Sequence, residues 1–215
     1  MISIENVDVY GWEAAIRGAR NPMNSWDKTD SRITYEWDDD AIINHGIHLG
    51  QNDLRLLRNL ANAGPDHGKF LRMINVTLDI TSHQVWWAEF DTYKISTVRN
   101  SCSKMHKIHV KTFEYDDFSH EGCDEVPWAK VALQRTIASC EELRVKFNET
   151  GEKKYWRALI ELLPESYNMK ATVQLNYQVL KTMYHARKNH KVFEWRLFCA
   201  WIKTLPYSEL IAGEE

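Results

Sequence analysis

The sequence predicts an α+β fold. Strand-like alternation is concentrated in the first half, helical periodicity fills the second, and no regular strand–helix–strand repeat marks a parallel sheet. Residues 2–10, ISIENVDVY, alternate apolar and polar side chains and read as a strand. Trp12 to Arg20 reads as a short helix, ended before Asn21-Pro22 because a residue preceding proline avoids the helical region. NPMNSWDKTDS follows as a polar loop. Asn52 to Ala63 carries leucines at 54, 57 and 60 and reads as a helix stopped by Gly64-Pro65.

Residues 73–80, MINVTLDI, place Ile74, Val76, Leu78 and Ile80 on one face, which predicts a strand with one side buried. Thr81-Ser82 is read as the cap of a helix over 83–94, followed by a turn near Ser96–Ser103 and a further strand over 106–113. Helices are then expected over 127–149, with Val131, Leu133, Ile137, Cys140, Leu143 and Phe147 as apolar positions, and over 153–163, 170–187 and 190–204. Glycine and proline are sparse and no repeat or low-complexity tract appears, so residues 1–215 are expected to form a single domain.

Composition narrows the function classes. Apolar residues make up 44% of the 215 and charged residues 27%, as in ordinary globular domains. A net charge of −3 lacks the basic excess that binding to polymeric nucleic acid requires. Nine tryptophans call for a large core, an interface or a stacking site. Cys102, Cys123, Cys140 and Cys199 form no C-x-x-C pair, and their wide spacing points to reduced thiols in a cytoplasmic protein. MISIENVDVYGWE has no basic stretch leading into an apolar one, and no apolar run approaches the ~18 residues of a membrane span.

Several residues are candidates for chemistry. Asn176 and Arg187 are eleven residues apart, close to three turns, so a continuous helix would project both from one face with Leu180 and Met183 between them. An amide and a guanidinium framing an apolar stripe suit a planar heterocycle; the alternative is Arg187 paired with a carboxylate and Asn176 solvated. His67 lies in GPDHGKF between a helix and a strand, where loops commonly carry site residues, or is a surface histidine. His45 and His48, and His106 and His109, stand at i, i+3, and the latter two fall on opposite faces if 106–113 is a strand, so no metal site is expected. A neighbouring Lys104 and His106 would lower the Cys102 thiol pKa, but no nucleophile frame surrounds it. With no glycine-rich phosphate loop, any nucleotide must be held by side chains and helix ends.

Three segments together resemble the flavin-dependent thymidylate synthases. LLPESYNMKATVQLNYQVLKTMYHARKNHKVFEWRLF is similar to the family's C-terminal segment, with Leu163-Pro164, Asn176, Arg187, His190 and Glu194 at its conserved-type positions. GPDHGKFLRMINVTLDI places His67 at the flavin-binding histidine. WWAEFDTYKISTVRNSCSKMHK lies where the R-H-R-x-x-S signature belongs, as Thr92, Tyr93, Lys94, Ile95, Ser96 and Thr97, with Cys102-Ser103-Lys104 in the place of Ser-x-Arg. The resemblance covers roughly residues 50–110 and 155–205, by order and spacing more than identity.

The departures are specific. Thr92 and Tyr93 replace Arg and His, Lys94 keeps charge without the guanidinium fork, Glu89 stands where a nucleotide-binding Gln belongs, and Gln178 replaces the Arg of Asn-x-Arg. Ile160 occupies the place of another arginine, with Arg157 nearby, and the step from Arg187 to His190 is one residue short. The resemblance implies a twisted sheet flanked by helices, a helix-rich C-terminal half and a homotetramer holding FAD. It implies methylation of dUMP with methylenetetrahydrofolate and reduced FAD, with NADPH as the hydride source. By position, Arg187 would polarise the pyrimidine; His67, Tyr93, Lys94, Thr97, Asn176 and Gln178 would face the flavin; Glu89, Ser101, Cys102, Lys104 and Arg187 would face the nucleotide. The exchanged signature leaves two alternatives: a relative modifying another pyrimidine nucleotide, as by hydroxymethylation, or a non-catalytic nucleotide-binding or assembly protein that keeps the fold.

Overall fold

The structure, a computed structural model, describes residues 1–38 and 41–213, with the side chains of residues 36–38 and 41–45 left aside. The elements run β1 (Ser3–Tyr10), α1 (Trp12–Arg20), β2 (Arg32–Asp38), β3 (Ala41–His48), α2 (Gln51–Asn62), β4 (Asn75–His83), α3 (Gln84–Phe90) and β5 (Val98–Ser101). They continue as α4 (Lys104–Lys107), α5 (Glu121–Asp124), α6 (Pro127–Thr150), α7 (Lys153–Leu162), β6 (Asn168–Asn176), α8 (Tyr177–Arg187), α9 (Phe193–Ile202) and α10 (Glu209–Ala212). Four strands make a sheet in the order β1-β4-β6-β5, and β2 pairs with β3 as an antiparallel hairpin. The expected α+β fold, with helices dominating the C-terminal half, is what forms.

The chain divides into two compact units. The first comprises residues 1–5, 79–92 and 99–173; the second comprises 6–78, 93–98 and 174–215. The first unit has a core of Ile108, Phe113, Phe118, Leu133, Ile137, Cys140 and Leu159. Trp86, Trp87 and Phe90 of α3 are also fully buried there, with Trp86 and Phe90 stacked at 5.2 Å between centroids. In the second unit, Trp12, Tyr177 and Tyr207 meet edge to face, and Leu180, Met183, Trp195 and Phe198 are sealed from solvent.

The N-terminal part of the second unit is organised by one carboxylate. Asp53, on the first turn of α2, takes the Arg20 Nε at 2.6 Å through one oxygen. Its other oxygen accepts from the Thr29 hydroxyl, the Asp30 and Ser31 amides and the Ser31 hydroxyl. Asp30 returns the favour by capping α2, accepting from the amides of Asn52 and Asp53. A left-handed Gly11 (φ 92°) starts α1, and the Met73 carbonyl presses so close that no side chain could stand there.

Four expectations need correction. Residues 168–176 are a strand, β6, not the start of a helix over 170–187: Met169, Ala171, Val173 and Leu175 are buried alternately, and this period of two prevails over helix propensity. The strand β4 runs through Thr81-Ser82 to His83, whose Nδ1 caps α3 in place of those hydroxyls, and α3 stops at Phe90 instead of 94. Val98–Ser101, expected as a turn, is the edge strand β5, and the Cys102 amide beyond it donates to the Lys170 carbonyl at 3.0 Å. Residues 106–113 are no strand: Ser103 caps the helical turn α4, and the amides of Lys107 and Ile108 bond back four residues. The opposite-face argument for His106 and His109 lapses with it. The hairpin β2–β3 has no counterpart in the sequence reading, and the expectation for His45 falls on a side chain outside the described set.

Candidate functional site

In the second unit the last turn of α8 carries Arg187, and α8 begins where β6 ends. Asn176 sits at that junction, 5% exposed, its side-chain oxygen accepting from the Val179 amide at 3.0 Å. Asn176 and Arg187 therefore do not share a helix face: one is the cap of α8 and the other its C-terminal turn. Leu180 and Met183 between them are fully buried and present no stripe to a ligand.

Arg187 is half-buried against aromatic surface. Its Nε donates to the Tyr93 hydroxyl at 3.0 Å and its Nη1 donates to His190 Nε2 at 2.9 Å. The guanidinium carbon lies 4.9 Å from the centre of the Trp195 ring and 5.6 Å from that of Tyr93, in cation–π range of both. The two rings are 6.0 Å apart. A guanidinium so braced keeps its plane and direction at low entropic cost, as a polarising donor requires. Tyr93, where the resemblance expects histidine, thus supports Arg187 directly. Trp195 escaped the sequence reading; its signal is the aromatic pattern FEWRLF, which places it in the first turn of α9.

The signature segment lies beyond the end of α3 as a turn. Ser96 adopts a left-handed backbone (φ 58°), which a serine takes at a cost and which sites commonly contain. The Thr97 hydroxyl is buried with no hydrogen-bond partner among the described residues. Lys94 beside them is exposed. An orphaned hydroxyl, a strained turn and an exposed cation fit the holding of an anionic cofactor such as FAD. His67 is exposed on the turn before residues 68–72. A methyl group on the adjacent Gly68 would lie 3.8 Å from Gln178 Oε1, so the His67 loop and the first turn of α8 run side by side.

In the first unit, Cys102, Ser103 and Lys104 line a cavity of about 520 Å³ together with Lys107, Tyr167 and Lys170. Lys104 Nζ donates to Gln84 Oε1 at 3.2 Å, and burial pushes its ammonium pKa below the usual lysine value. Lys170 is already paired with Glu5 and Asp79. Ser101 is exposed on β5, Cys102 is an exposed free thiol, and Glu89 is half-buried on α3. Gln84, Lys107 and Tyr167 were not legible as neighbours, because they meet only through segments far apart in sequence. Among the described residues no helix is long and apolar enough to cross a membrane.

No protein-family model matches the sequence, and no curated protein matches it. Solved structures do. Flavin-dependent thymidylate synthase ThyX from Helicobacter pylori, complexed with FAD and dUMP, superposes with a TM-score of 0.67 at 15% identity, over 99% of this chain and 98% of that one. A second structure of that enzyme with FAD and dUMP gives 0.69 at 14% identity, over 100% and 98%. The UMP/dUMP methylase PolB from Streptomyces cacaoi, bound with 5-Br dUMP, gives 0.67 at 15% identity, over 98% and 94%. At such identity the likeness bears on fold and not on chemistry. Over nearly its whole length, this chain has the fold of the flavin-dependent thymidylate synthases.

Proposed function

We propose that this protein is a flavin-dependent enzyme that transfers a one-carbon unit to a pyrimidine nucleotide, with dUMP methylation as the reaction. The observation that carries the reading is Arg187 itself: a guanidinium aimed by Tyr93 and His190 and backed by Trp195. The structural neighbours bind FAD and dUMP or 5-Br dUMP, which supports the ligand classes.

In this reading Arg187 donates to a pyrimidine carbonyl oxygen and stabilises the negative charge that develops on it when the ring is attacked. In the first unit, Lys104 is suited by its charge to a nucleotide phosphate, with Ser101, Cys102 and Glu89 as further nucleotide-facing candidates of that unit. His67, Lys94, Thr97, Asn176 and Gln178 hold FAD, with Tyr93 between the flavin and Arg187. Asn176 contributes its amide nitrogen, since its oxygen is committed to the α8 cap. Bound reduced flavin supplies the hydride, with NADPH as its source and methylenetetrahydrofolate as the one-carbon donor. A homotetramer in the cytoplasm is part of the same proposal.

A second reading, a relative that modifies a different pyrimidine nucleotide, is favoured by the replacement of the signature Arg-His by Thr92-Tyr93. Purified protein is expected to carry or take up FAD, seen as visible flavin absorbance, and to release tritium from C5-labelled dUMP when supplied with folate and NADPH. A flavin-loaded protein that releases tritium from another pyrimidine nucleotide and not from dUMP selects the second reading. A protein that takes up neither FAD nor dUMP overturns both.

A further inference from the structure

In the second unit, α1, the loop after it and the β2–β3 hairpin line a cavity of about 310 Å³ that shares no lining residue with the site residues assigned above. That volume suits a small ligand, at the low end of the range that ligand pockets occupy. Ile16 from α1, Ile33 from β2 and Ile47 from β3 make an apolar wall. Trp26 presents an indole that is 49% exposed, yet held in place by its own hydrogen bond, Nε1 to Asn21 Oδ1 at 2.8 Å. A fixed, half-open aromatic face beside aliphatic side chains is a stacking platform for a flat ring.

The polar lining sorts into spent and available groups. Arg20 is spent: Asp53, the Ser25 carbonyl and the Lys28 carbonyl take its donors. Thr29 and Ser31 give their hydroxyl protons to Asp53. Arg17 and Arg32 are different. Both are exposed, both line the cavity, and neither makes an ion pair or side-chain hydrogen bond among the described residues. Glu13, one turn before Arg17, is the acid of the lining, so the two guanidiniums leave one positive charge in excess. Guanidinium forks match the oxygens of a carboxylate or phosphate in geometry as well as charge.

We propose that this cavity binds a small planar ring carrying one anionic arm, the ring lying on Trp26 against the isoleucine wall and the arm taken by Arg17 and Arg32. The proposal shares no residue with the flavin and nucleotide reading and does not depend on it. Benzoate and phenyl phosphate are the probes, since they share the ring and differ in the anion. The readout is fluorine NMR of the full chain labelled with fluorotryptophan, the Trp26 resonance being the one lost in Trp26→Phe. Saturable movement of that resonance is expected, with a dissociation constant below about 1 mM for at least one probe. The probe that binds more tightly identifies the anion as carboxylate or phosphate. In Arg17→Glu/Arg32→Glu the affinity should fall by at least about tenfold, with the other tryptophan resonances unmoved as the control for folding. Arg187→Ala should leave it unchanged. Absence of a Trp26 response to both probes, or a response that survives the double substitution, overturns the proposal.

Discussion

Arg20 and Arg187 are both arginines at the C-terminal end of a helix in the same unit, and they are held in opposite ways. Arg20 is almost wholly buried and locked to a carboxylate that is itself sealed from solvent. Arg187 is only half-buried and rests on two aromatic rings, a phenol and an imidazole. The first arrangement fixes a loop and a helix start, and any ligand would have to compete with it. The second sets a direction at a half-buried position. Environment, more than residue type, separates a structural arginine from one suited to chemistry.

The largest expected effect breaks the first arrangement. Asp53→Asn keeps the shape but leaves the Arg20 charge buried without its counter-charge, a loss of about 3–5 kcal/mol, measurable by urea denaturation at neutral pH. The same group predicts the acid limb. Burial alone would raise the Asp53 carboxyl, but hydrogen bonds from Ser31, Thr29, the Asp30 amide and Arg20 more than offset it, and the net shift is downward. A carboxyl lowered on folding contributes stability that is complete above the ordinary value of 3.8 and is lost as the pH falls through the lowered folded value. The Asp53→Asn curve should therefore lose less stability than the wild type over that interval.

The next effect separates the two arginines by function. Arg187→Lys keeps the charge but not the fork or the flat face that lies on Trp195. Nucleotide affinity is expected to fall by about 1.5–3 kcal/mol, the scale of one charged hydrogen bond, while urea stability changes little. Arg20→Lys should do the reverse, lowering stability with no direct effect on nucleotide binding. Equilibrium dialysis with dUMP alongside denaturation curves checks both; matching losses in the two variants would erase the distinction.

Much of this contrast was legible in the sequence, and its gaps have physical causes. Helices α1, α2, α6 and α7 follow from periodicity, caps and the breakers Asn21-Pro22, Gly64-Pro65 and Pro164, all of them local signals. Arg187 could be singled out from its place in the C-terminal segment that resembles the thymidylate synthases. The face-sharing argument did not survive, because NMKATVQLN carries a period of two hidden among good helix formers. The edge strand β5 was illegible for another reason: its bonds lie with a partner some seventy residues on, and no local pattern encodes that pairing. The Arg20–Asp53 lock and the Trp26 cavity are likewise products of distant segments meeting.

The smallest effect sharpens the comparison most. Tyr93 lies in the proposed signature where histidine was expected, and its hydroxyl takes the Arg187 Nε proton at 3.0 Å. Tyr93→Phe removes that oxygen and keeps the ring against Trp195, so packing and cation–π contact persist. The expected cost is that of one neutral-to-charged hydrogen bond at a half-open position, about 1 kcal/mol, and it should fall on the direction of the guanidinium and not on folding. Unchanged urea stability with a dUMP affinity reduced several-fold is the predicted pattern, and Tyr93→His, which restores a ring nitrogen, should recover part of it. If Tyr93→Phe instead lowers stability and leaves the affinity alone, Tyr93 is a strut of the fold, and Arg187 would then resemble Arg20 more than it differs from it.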